Sequence, residues 1–317
     1  MRDYTFLYRE ELSHHETWNR KWGLFISAYD TSERVQFVFK HVEADVKHWI
    51  VHCEYGFSPD LTQIDNAFWS DELNEGEYIL SYFDSMLSTV DLSTTRVCVD
   101  VTGFMRPHLM FLVKLLFSRG ATVVDVIYAE PAFYKNKEKT KFSVEQVREV
   151  RQVVGFEGVT NNDTSNDLLI IGAGYETHLI EEVAEDKDKA RKMIVLGFPS
   201  LSADMYQQNA WRTRLAVDAV GESAYEKHFA PANDPFVTAT KLSELVDRER
   251  RRSPPTNIYL SPLATKAQAV GFVLYYLSEC QNESISIIFP YSDTYEPGTS
   301  RGVARIWCYT VETLPNS

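Results

Sequence analysis

Two segments of the chain place a hydroxyl group near a cation where an apolar run gives way to a helical pattern. The first is Thr102-Gly103 with Arg106, and the second is Thr265-Lys266. A cation at a helix start opposes the helix dipole, so two such placements favour anion binding over helix stabilisation. Arginine holds a phosphate or carboxylate through two parallel hydrogen bonds. We therefore expect these five residues to bind an anion; the alternative is that both cations form surface ion pairs with carboxylates.

Small residues follow two other apolar runs. The first segment is Ser27-Ala28-Tyr29 and the second is Gly172-Ala173-Gly174. Backbone N–H groups at a helix start bind phosphates, and glycines permit close approach of a ligand to the backbone. We expect Ser27, Tyr29, Gly172 and Gly174 to line the floor of the site. The second segment is not the dinucleotide fingerprint, because position 177 is Thr rather than a third glycine, and a simple tight turn is its alternative reading.

Apolar runs alternate with helical patterns along the chain. Strands are expected near residues 23–28, 48–53, 96–101, 122–128, 167–172, 193–198, 257–261, 285–290 and 303–311. Helices are expected near residues 33–42, 72–87, 107–117, 143–154, 176–185, 202–219, 236–251 and 264–279. Continuously apolar strands separated by helices indicate mainly parallel sheets with helices on both faces. The sequence therefore predicts an α/β fold with ligands beyond the carboxyl ends of the strands.

The two halves of the chain resemble each other. Residues 24–32 resemble 169–177, residues 101–108 resemble 261–268, and residues 128–134 resemble 289–295. We therefore expect an internal duplication of a Rossmann-like unit, in which a ligand on a pseudo-two-fold axis meets two copies of each loop. The expected organisation is an N-terminal arm over residues 1–21, a first half over 22–155 and a second half over 156–317.

Composition and charge disfavour several classes of protein, among them non-specific nucleic-acid binders and membrane-spanning proteins. The chain has 317 residues and a net charge of −13, which disfavours non-specific binding to nucleic acids. Its four cysteines lie apart within apolar runs, as reduced core residues do, and no metal site or cofactor is predicted from the sequence. No apolar run reaches the ~20 residues of a membrane span and no signal peptide is evident, so we expect a cytoplasmic protein.

One loop carries a resemblance to a known family. The segment Asp100-Val101-Thr102-Gly103-Phe104-Met105-Arg106 resembles the Asp-x-Thr-Gly-Gly-Thr-Lys-type loop of CRISPR-associated Rossmann fold (CARF) domains. Two such folds in one chain are similar to the SAVED domain of bacterial anti-phage signalling. Phe104 and Arg106 stand where the family has glycine and lysine, and Leu263-Ala264 stands where the second half would have Thr-Gly.

This resemblance implies a function in antiviral defence. CARF-type domains bind cyclic oligonucleotides with the loop after the first strand and the Thr-Gly loop, and some of them cut the bound ring. The implied ligand is therefore a small cyclic nucleotide. Because no nuclease, winged-helix or membrane segment is recognised in the chain, the resemblance also implies a separate effector protein or a homo-oligomer.

Two other functions remain open at this point. Residues 25–30 look like the first strand and loop of TIR domains and of deoxyribosyltransferase-like glycosidases. Such enzymes stabilise a ribosyl cation with a carboxylate, for which Glu54 or Glu130 is the candidate in a nucleotide or NAD glycosidase. The third possibility is a non-enzymatic interaction module of a defence complex, which the aromatic content of 13% fits.

Overall fold

The computed structural model describes the chain except residues 1, 58–63, 135–146, 203–204, 216–219, 222–226, 293–294, 296–299 and 313–317. Packing divides the chain into two units. The N-terminal unit consists of Leu7–Glu145 and Asp293–Thr313. The C-terminal unit consists of Met1–Phe6, Gln146–Ser292 and Leu314–Ser317.

Parallel strands form the centre of the N-terminal unit. Its described strands are β1 (Arg9–Leu12), β2 (Lys21–Ala28), β3 (Glu43–Val51), β4 (Ala67–Trp69), β5 (Val97–Asp100), β6 (Val123–Tyr134) and β13 (Ser300–Glu312). They pair in the order β1-β13-β6-β5-β2-β3-β4. The five strands from β6 to β4 in this order run parallel, whereas β13 and β1 are antiparallel to their neighbours.

The C-terminal unit repeats this pattern. Its described strands are β7 (Glu149–Gln152), β8 (Leu168–Ala173), β9 (Arg191–Gly197), β10 (Lys227–Ala230), β11 (Ile258–Pro262) and β12 (Ile285–Tyr291). They pair in the order β10-β9-β8-β11-β12-β7, and β7 alone among them is antiparallel to its neighbour. Both units therefore contain five parallel strands in the chain order 3-2-1-4-5, as in Rossmann-like folds.

Helices connect the parallel strands. In the N-terminal unit they are α1 (Glu33–His41), α2 (Glu75–Tyr82), which continues into a π-helical turn over Phe83–Leu87, and α3 (Arg106–Ser118). In the C-terminal unit they are α4 (Thr177–Asp186), α5 (Met205–Leu215), α6 (Pro235–Arg252) and α7 (Lys266–Glu279). The fold expected from the sequence is confirmed: both units are Rossmann-like, with mainly parallel sheets, and the repeated strand order agrees with an internal duplication.

In each unit the last parallel strand pairs with an antiparallel strand that is not the next one in sequence. β13 pairs with β6 in the N-terminal unit, although β13 follows β12 in sequence. β7 follows β6 in sequence but pairs with β12 in the C-terminal unit. Packing thus departs from the sequence bounds 22–155 and 156–317, and the expected arm over residues 1–21 contributes β1 to the first sheet.

The helix expected over residues 143–154 is wrong where the structure describes it. Residues 143–146 lie outside the described part of the chain, and Glu149–Gln152 form β7. Four antiparallel pairs join β7 to β12, from Ile288 with Gln152 to Tyr291 with Glu149. Pairing with an open sheet edge therefore outweighs the local helical pattern.

Burial explains why the central strands read as continuous apolar runs. β5 is buried at every position from Val97 to Asp100, and β8 is buried at every position from Leu168 to Ala173. Strands covered on both faces have no solvent-facing positions, so polar residues are excluded from most of them. Among the described helices, none is long and apolar enough to span a membrane.

Candidate functional site

In both units the winding of the chain reverses between two neighbouring strands, β2 and β5 in one and β8 and β11 in the other. Sheets of this type bind ligands beyond the carboxyl ends of these strands. We call the two regions the N edge and the C edge. The residues predicted to bind a ligand lie at the N edge (Ser27, Tyr29, Thr102, Gly103 and Arg106) and the C edge (Gly172, Gly174, Thr265 and Lys266).

A glycine brings the two loops of each edge into backbone contact. A Cβ atom at Gly103 would lie 2.4 Å from the carbonyl oxygen of Ala28, and one at Gly174 would lie 2.2 Å from that of Leu263. The glycine follows β5 at the N edge but β8 at the C edge. Both distances are far below van der Waals contact, so no other residue fits without movement of the backbone. Packing between loops thus accounts for both glycines; their predicted contact with a ligand stays a prediction.

Buried hydrogen bonds hold the polar groups of the N-edge loop. Ser27 Oγ donates to Asp100 Oδ2, the backbone N–H of Thr102 donates to Asp100 Oδ1, and that of Ala129 donates to Thr102 Oγ1, each at 3.0 Å. Burial raises the pKa of Asp100 to about 6, although the hydrogen bonds from Thr102 and Ser27 favour its ionised form. Because Ser27 and Thr102 are buried, a ligand would meet the loop backbone and Arg106 before their hydroxyls.

Partly exposed aromatic rings lie with Arg106 at the N edge. Arg106 is the first residue of α3, and its positive charge acts on the nearby phenol of Tyr55. The Tyr55 hydroxyl donates to the Gly103 carbonyl at 3.1 Å. The Phe57 ring lies 5.1 Å from the Tyr29 ring and 6.0 Å from the Tyr55 ring, measured between centroids. We call Tyr29, Tyr55 and Phe57 the aromatic group.

At the C edge, the predicted ligand-binding residues make contacts that stabilise the fold. Thr265 is the N-cap of α7: its hydroxyl oxygen accepts a hydrogen bond from the Gln268 N–H at 3.1 Å. Lys266 follows as the first residue of the helix and is half-buried. A Cβ atom at Gly172 would lie 3.0 Å from the Phe272 ring, so this glycine provides room for a helix side chain.

Three further side chains of the N edge converge in the interior. His52 follows β3, Glu54 lies in a 3-10 turn over Cys53–Tyr55, and His108 is the third residue of α3. All three are buried, and one potential ligand atom from each lies within 4.8 Å of the others. His108 Nε2 is 3.8 Å from Glu54 Oε1, and the two imidazole centroids are 4.6 Å apart. We call these residues the His-Glu-His cluster.

Aromatic rings surround this cluster. The Tyr78 ring stacks on His52 at 5.9 Å and meets His108 edge-on at 5.2 Å, while Phe104 lies edge-on to His52 at 5.6 Å. Burial, together with the charge of Glu54, raises the pKa of Cys53 to about 12, so its thiol stays protonated at neutral pH. The Cys53 thiol donates a hydrogen bond to Glu54 Oε2 at 3.4 Å, and Glu54 is buried, where electrostatic interactions are strong.

The two carboxylates that sequence analysis singled out have different surroundings. Glu130 is buried in β6, where its carboxylate accepts hydrogen bonds from Arg305 Nε at 2.8 Å and from Trp307 Nε1 at 2.7 Å. These contacts fix Glu130 as part of the sheet. Glu54 instead lies beside His108, at the carboxyl end of a parallel strand. Of the two, Glu54 has the position expected of a functional carboxylate.

The C-terminal unit contains a separate cavity, away from the C edge. It has a volume of about 300 Å³ and is lined by residues at the amino ends of β11 and β12, among them Asn257, Tyr259 and Ser286. The end of α4, at Asp186 and Lys187, contributes to its wall. Because ligands of Rossmann-like sheets bind at carboxyl ends, this cavity does not coincide with the candidate site.

Sequence analysis missed His52, Tyr55, Phe57 and His108 as site residues. Their places in the sequence could have identified them. Tyr55 and Phe57 follow the strand next to β2, and His108 is two residues beyond Arg106. The convergence of His108 with His52 depends on which turn of α3 lies near the residues after β3, and spacing along the chain does not reveal this. Comparison of the chain with protein-family models finds no match, and comparison with curated proteins finds none either.

Proposed function

We propose that the N edge binds a small nucleotide, and that the protein is a nucleotide sensor of the CARF-like type. The observation that carries the proposal is the position of Arg106 beside the aromatic group, beyond the carboxyl ends of β2 and β5. A nucleotide combines an anion with a flat ring, and this arrangement offers a partner for each.

The charge of Arg106 supports the anionic part of this ligand. Arg106 begins α3, where backbone N–H groups and the helix dipole add to its positive potential. The net charge of −13 does not oppose this, because the potential at a site depends on nearby groups. The rings of Tyr29 and Phe57 are partly exposed and offer surfaces for a base.

The resemblance of residues 100–106 to the CARF loop supports cyclic oligonucleotides as the first class to test. It also supports a role in anti-phage signalling, in which the ligand-bound protein acts on a separate effector or assembles with further copies of itself. The buried hydroxyls of Ser27 and Thr102 would then support the loop, while its backbone and Arg106 contact phosphate.

Thermal unfolding with a panel of cyclic di-, tri- and tetranucleotides, NAD and ADP-ribose tests the proposal. A ligand at ~100 times its dissociation constant adds about 2.7 kcal/mol to the free energy of unfolding. We expect one cyclic nucleotide to raise the midpoint, and Arg106→Ala to remove the rise. Arg119→Ala is the matched control, because Arg119 is an exposed arginine at the other end of α3. Chromatography of the recovered nucleotide reports whether the ring is cut.

Three outcomes contradict the proposal. The first is a rise in midpoint that Arg106→Ala leaves unchanged, which places the ligand elsewhere. The second is stabilisation and depletion of NAD alone, which favours the glycosidase and directs attention to Glu54, the strand-end carboxylate beside His108. If no compound on the panel binds, the interaction-module alternative is favoured.

A further inference from the structure

We propose that His52, Glu54 and His108 form a binding site for one divalent transition-metal ion of the zinc class. The proposal is independent of the nucleotide ligand, because it concerns side chains buried beneath the N edge. Imidazole nitrogen and carboxylate oxygen suit Zn²⁺ and its first-row neighbours. Two histidines and one glutamate form the protein ligand set of one type of zinc site, which keeps a fourth position open.

The potential ligand atoms are slightly farther apart than the ligands of a bound Zn²⁺ ion. Zn²⁺ holds nitrogen and oxygen ligands at about 2.0–2.2 Å, so that ligands in a tetrahedral site are about 3.4 Å apart. The three potential ligand atoms lie within 4.8 Å of one another, and His108 Nε2 is 3.8 Å from Glu54 Oε1. Rotations that move each atom by about 1 Å bring all three to bonding distance.

The charge of Glu54 and the presence of two imidazoles favour a bound cation over an ion pair between Glu54 and one histidine. The 3.8 Å between His108 Nε2 and Glu54 Oε1 exceeds hydrogen-bond length, so the pair is not closed as an imidazolium–carboxylate bond would be. One protonated imidazole would neutralise the carboxylate and leave the second imidazole with no electrostatic role. A divalent ion uses the carboxylate charge and a nitrogen of both rings at once.

Packing and a hydrogen bond position the side chains of the cluster. His108 is held by α3, His52 and Glu54 follow directly from β3, and the Tyr78 ring packs on both imidazoles. The Tyr78 hydroxyl donates to the Val51 carbonyl at 2.8 Å, which fixes that ring against the strand. Ligands on fixed elements lose little conformational entropy on binding, which favours affinity.

The experiment is titration of the untagged, chelator-treated full chain with Zn²⁺ by calorimetry, with metal content measured by mass spectrometry. We expect one Zn²⁺ per chain. His108→Gln, which introduces the residue found at the same helix position in the C-terminal unit, should weaken binding by more than the ~10- to 100-fold typical of a supporting residue. Glu54→Gln should weaken it comparably.

Two control variants separate the cluster from other histidines. His48→Gln changes a buried histidine that is bonded to the Tyr82 hydroxyl, and it should leave the affinity unchanged. His14→Ala with His15→Ala removes the neighbouring pair near the N-terminus and should also leave it unchanged. Absence of Zn²⁺ binding to the wild type, or its loss in the double alanine variant alone, overturns the proposal.

A spectrum of the wild type with Co²⁺ decides the question if the cluster variants fail to fold. Co²⁺ in a four-coordinate site of nitrogen and oxygen ligands absorbs visible light far more strongly than the hydrated ion. Strong visible bands at one equivalent that survive in His14→Ala with His15→Ala support the cluster. A spectrum identical to that of hydrated Co²⁺ contradicts it.

Discussion

The N edge and the C edge occupy the same place in the same fold but differ in chemistry. At the last register pair of the two central strands, the N edge has Ser27 beside Asp100 and the C edge has Gly172 beside Pro262. At the third position of the following helix, the N edge has His108 and the C edge has Gln268. Topology therefore supplies two candidate sites that differ in their titratable groups. The N edge gathers two histidines, Glu54 and Asp100, whereas the C edge has Glu176, whose Oε1 lies 4.0 Å from His178 Nε2.

The Gln268 side chain occupies the same helix position at the C edge and contacts the backbone. Its Nε2 lies 3.4 Å from the Ala230 carbonyl and its backbone N–H is capped by Thr265, so it links the loop to the sheet. His108 instead faces Glu54 and His52. The two residues at this helix position therefore differ: Gln268 contacts the backbone of its own unit, and His108 belongs to the His-Glu-His cluster.

The largest effect is expected from removal of residues 300–317, which tests how the two units depend on exchanged strands. β13 is the partner of β6 and β1, and its Ile306, Cys308 and Tyr309 are buried. We expect hydrogen exchange to show loss of protection in β2 and β5 but retained protection in β8 and β11. Retained protection in β2 and β5 would mean that the N-terminal unit does not need its last strand.

Asp100→Asn removes the ionisable carboxyl at a register position that Pro262 occupies at the C edge. Because burial raises the pKa of Asp100 from 3.8 to about 6, the unfolded chain ionises first as the pH rises. The folded protein thus has the full contribution of Asp100 below pH ~4 and loses about 3 kcal/mol as the pH passes through ~6. Urea unfolding at pH 4 and pH 7 should show that the variant lacks this loss. Equal pH dependence in both proteins would contradict it.

Alanine at Gly103 and at Gly174 tests the feature that both edges share. The added Cβ would overlap a backbone carbonyl in each case, so each variant should lose about 2 kcal/mol of unfolding free energy. Gly56→Ala is the comparison, because that glycine has a φ of 68° but no atom within 4 Å of a Cβ. It should lose about 1 kcal/mol. If Gly103→Ala were better tolerated than Gly56→Ala, the N-edge loops would not be in tight contact.

Glu130→Gln should have the smallest effect on stability. It tests whether Glu130 only stabilises the sheet or also takes part in ligand binding. Glutamine keeps an acceptor for Trp307 Nε1 and removes the ion pair with the half-exposed Arg305, at a cost of about 1 kcal/mol. Stabilisation by the nucleotide should be unchanged relative to wild type in the same thermal assay. A lost ligand response would show that Glu130 belongs to the site.

Sequence patterns predicted the buried strands and missed the sheet edges. β2, β5, β8 and β11 read as apolar runs because nearly all of their positions are buried. The strands at the four sheet ends, β1, β4, β7 and β10, are three or four residues long and were not predicted. An edge strand gains its structure from one neighbour, so its sequence needs neither the length nor the apolar pattern of a central strand.

Position relative to the central strands also explains which site residues could be predicted from the sequence. Tyr29 directly follows β2 and Arg106 begins the helix after β5, so both lie at the edge that the strand ends define. The His-Glu-His cluster depends on which helix turn faces which strand end, a tertiary property. The exchange of β7 and β13 was equally beyond reach, because both orders of pairing satisfy the same local pattern.

The most direct test of the difference between the edges is calorimetric titration of wild type, Arg106→Ala and Lys266→Ala with the nucleotide that stabilises the protein most. Loss of a charge-assisted hydrogen bond at Arg106 should weaken binding about tenfold or more, while Lys266→Ala should stay within about twofold. A loss that is equal in both variants, or confined to Lys266→Ala, would contradict the assignment of binding to the N edge.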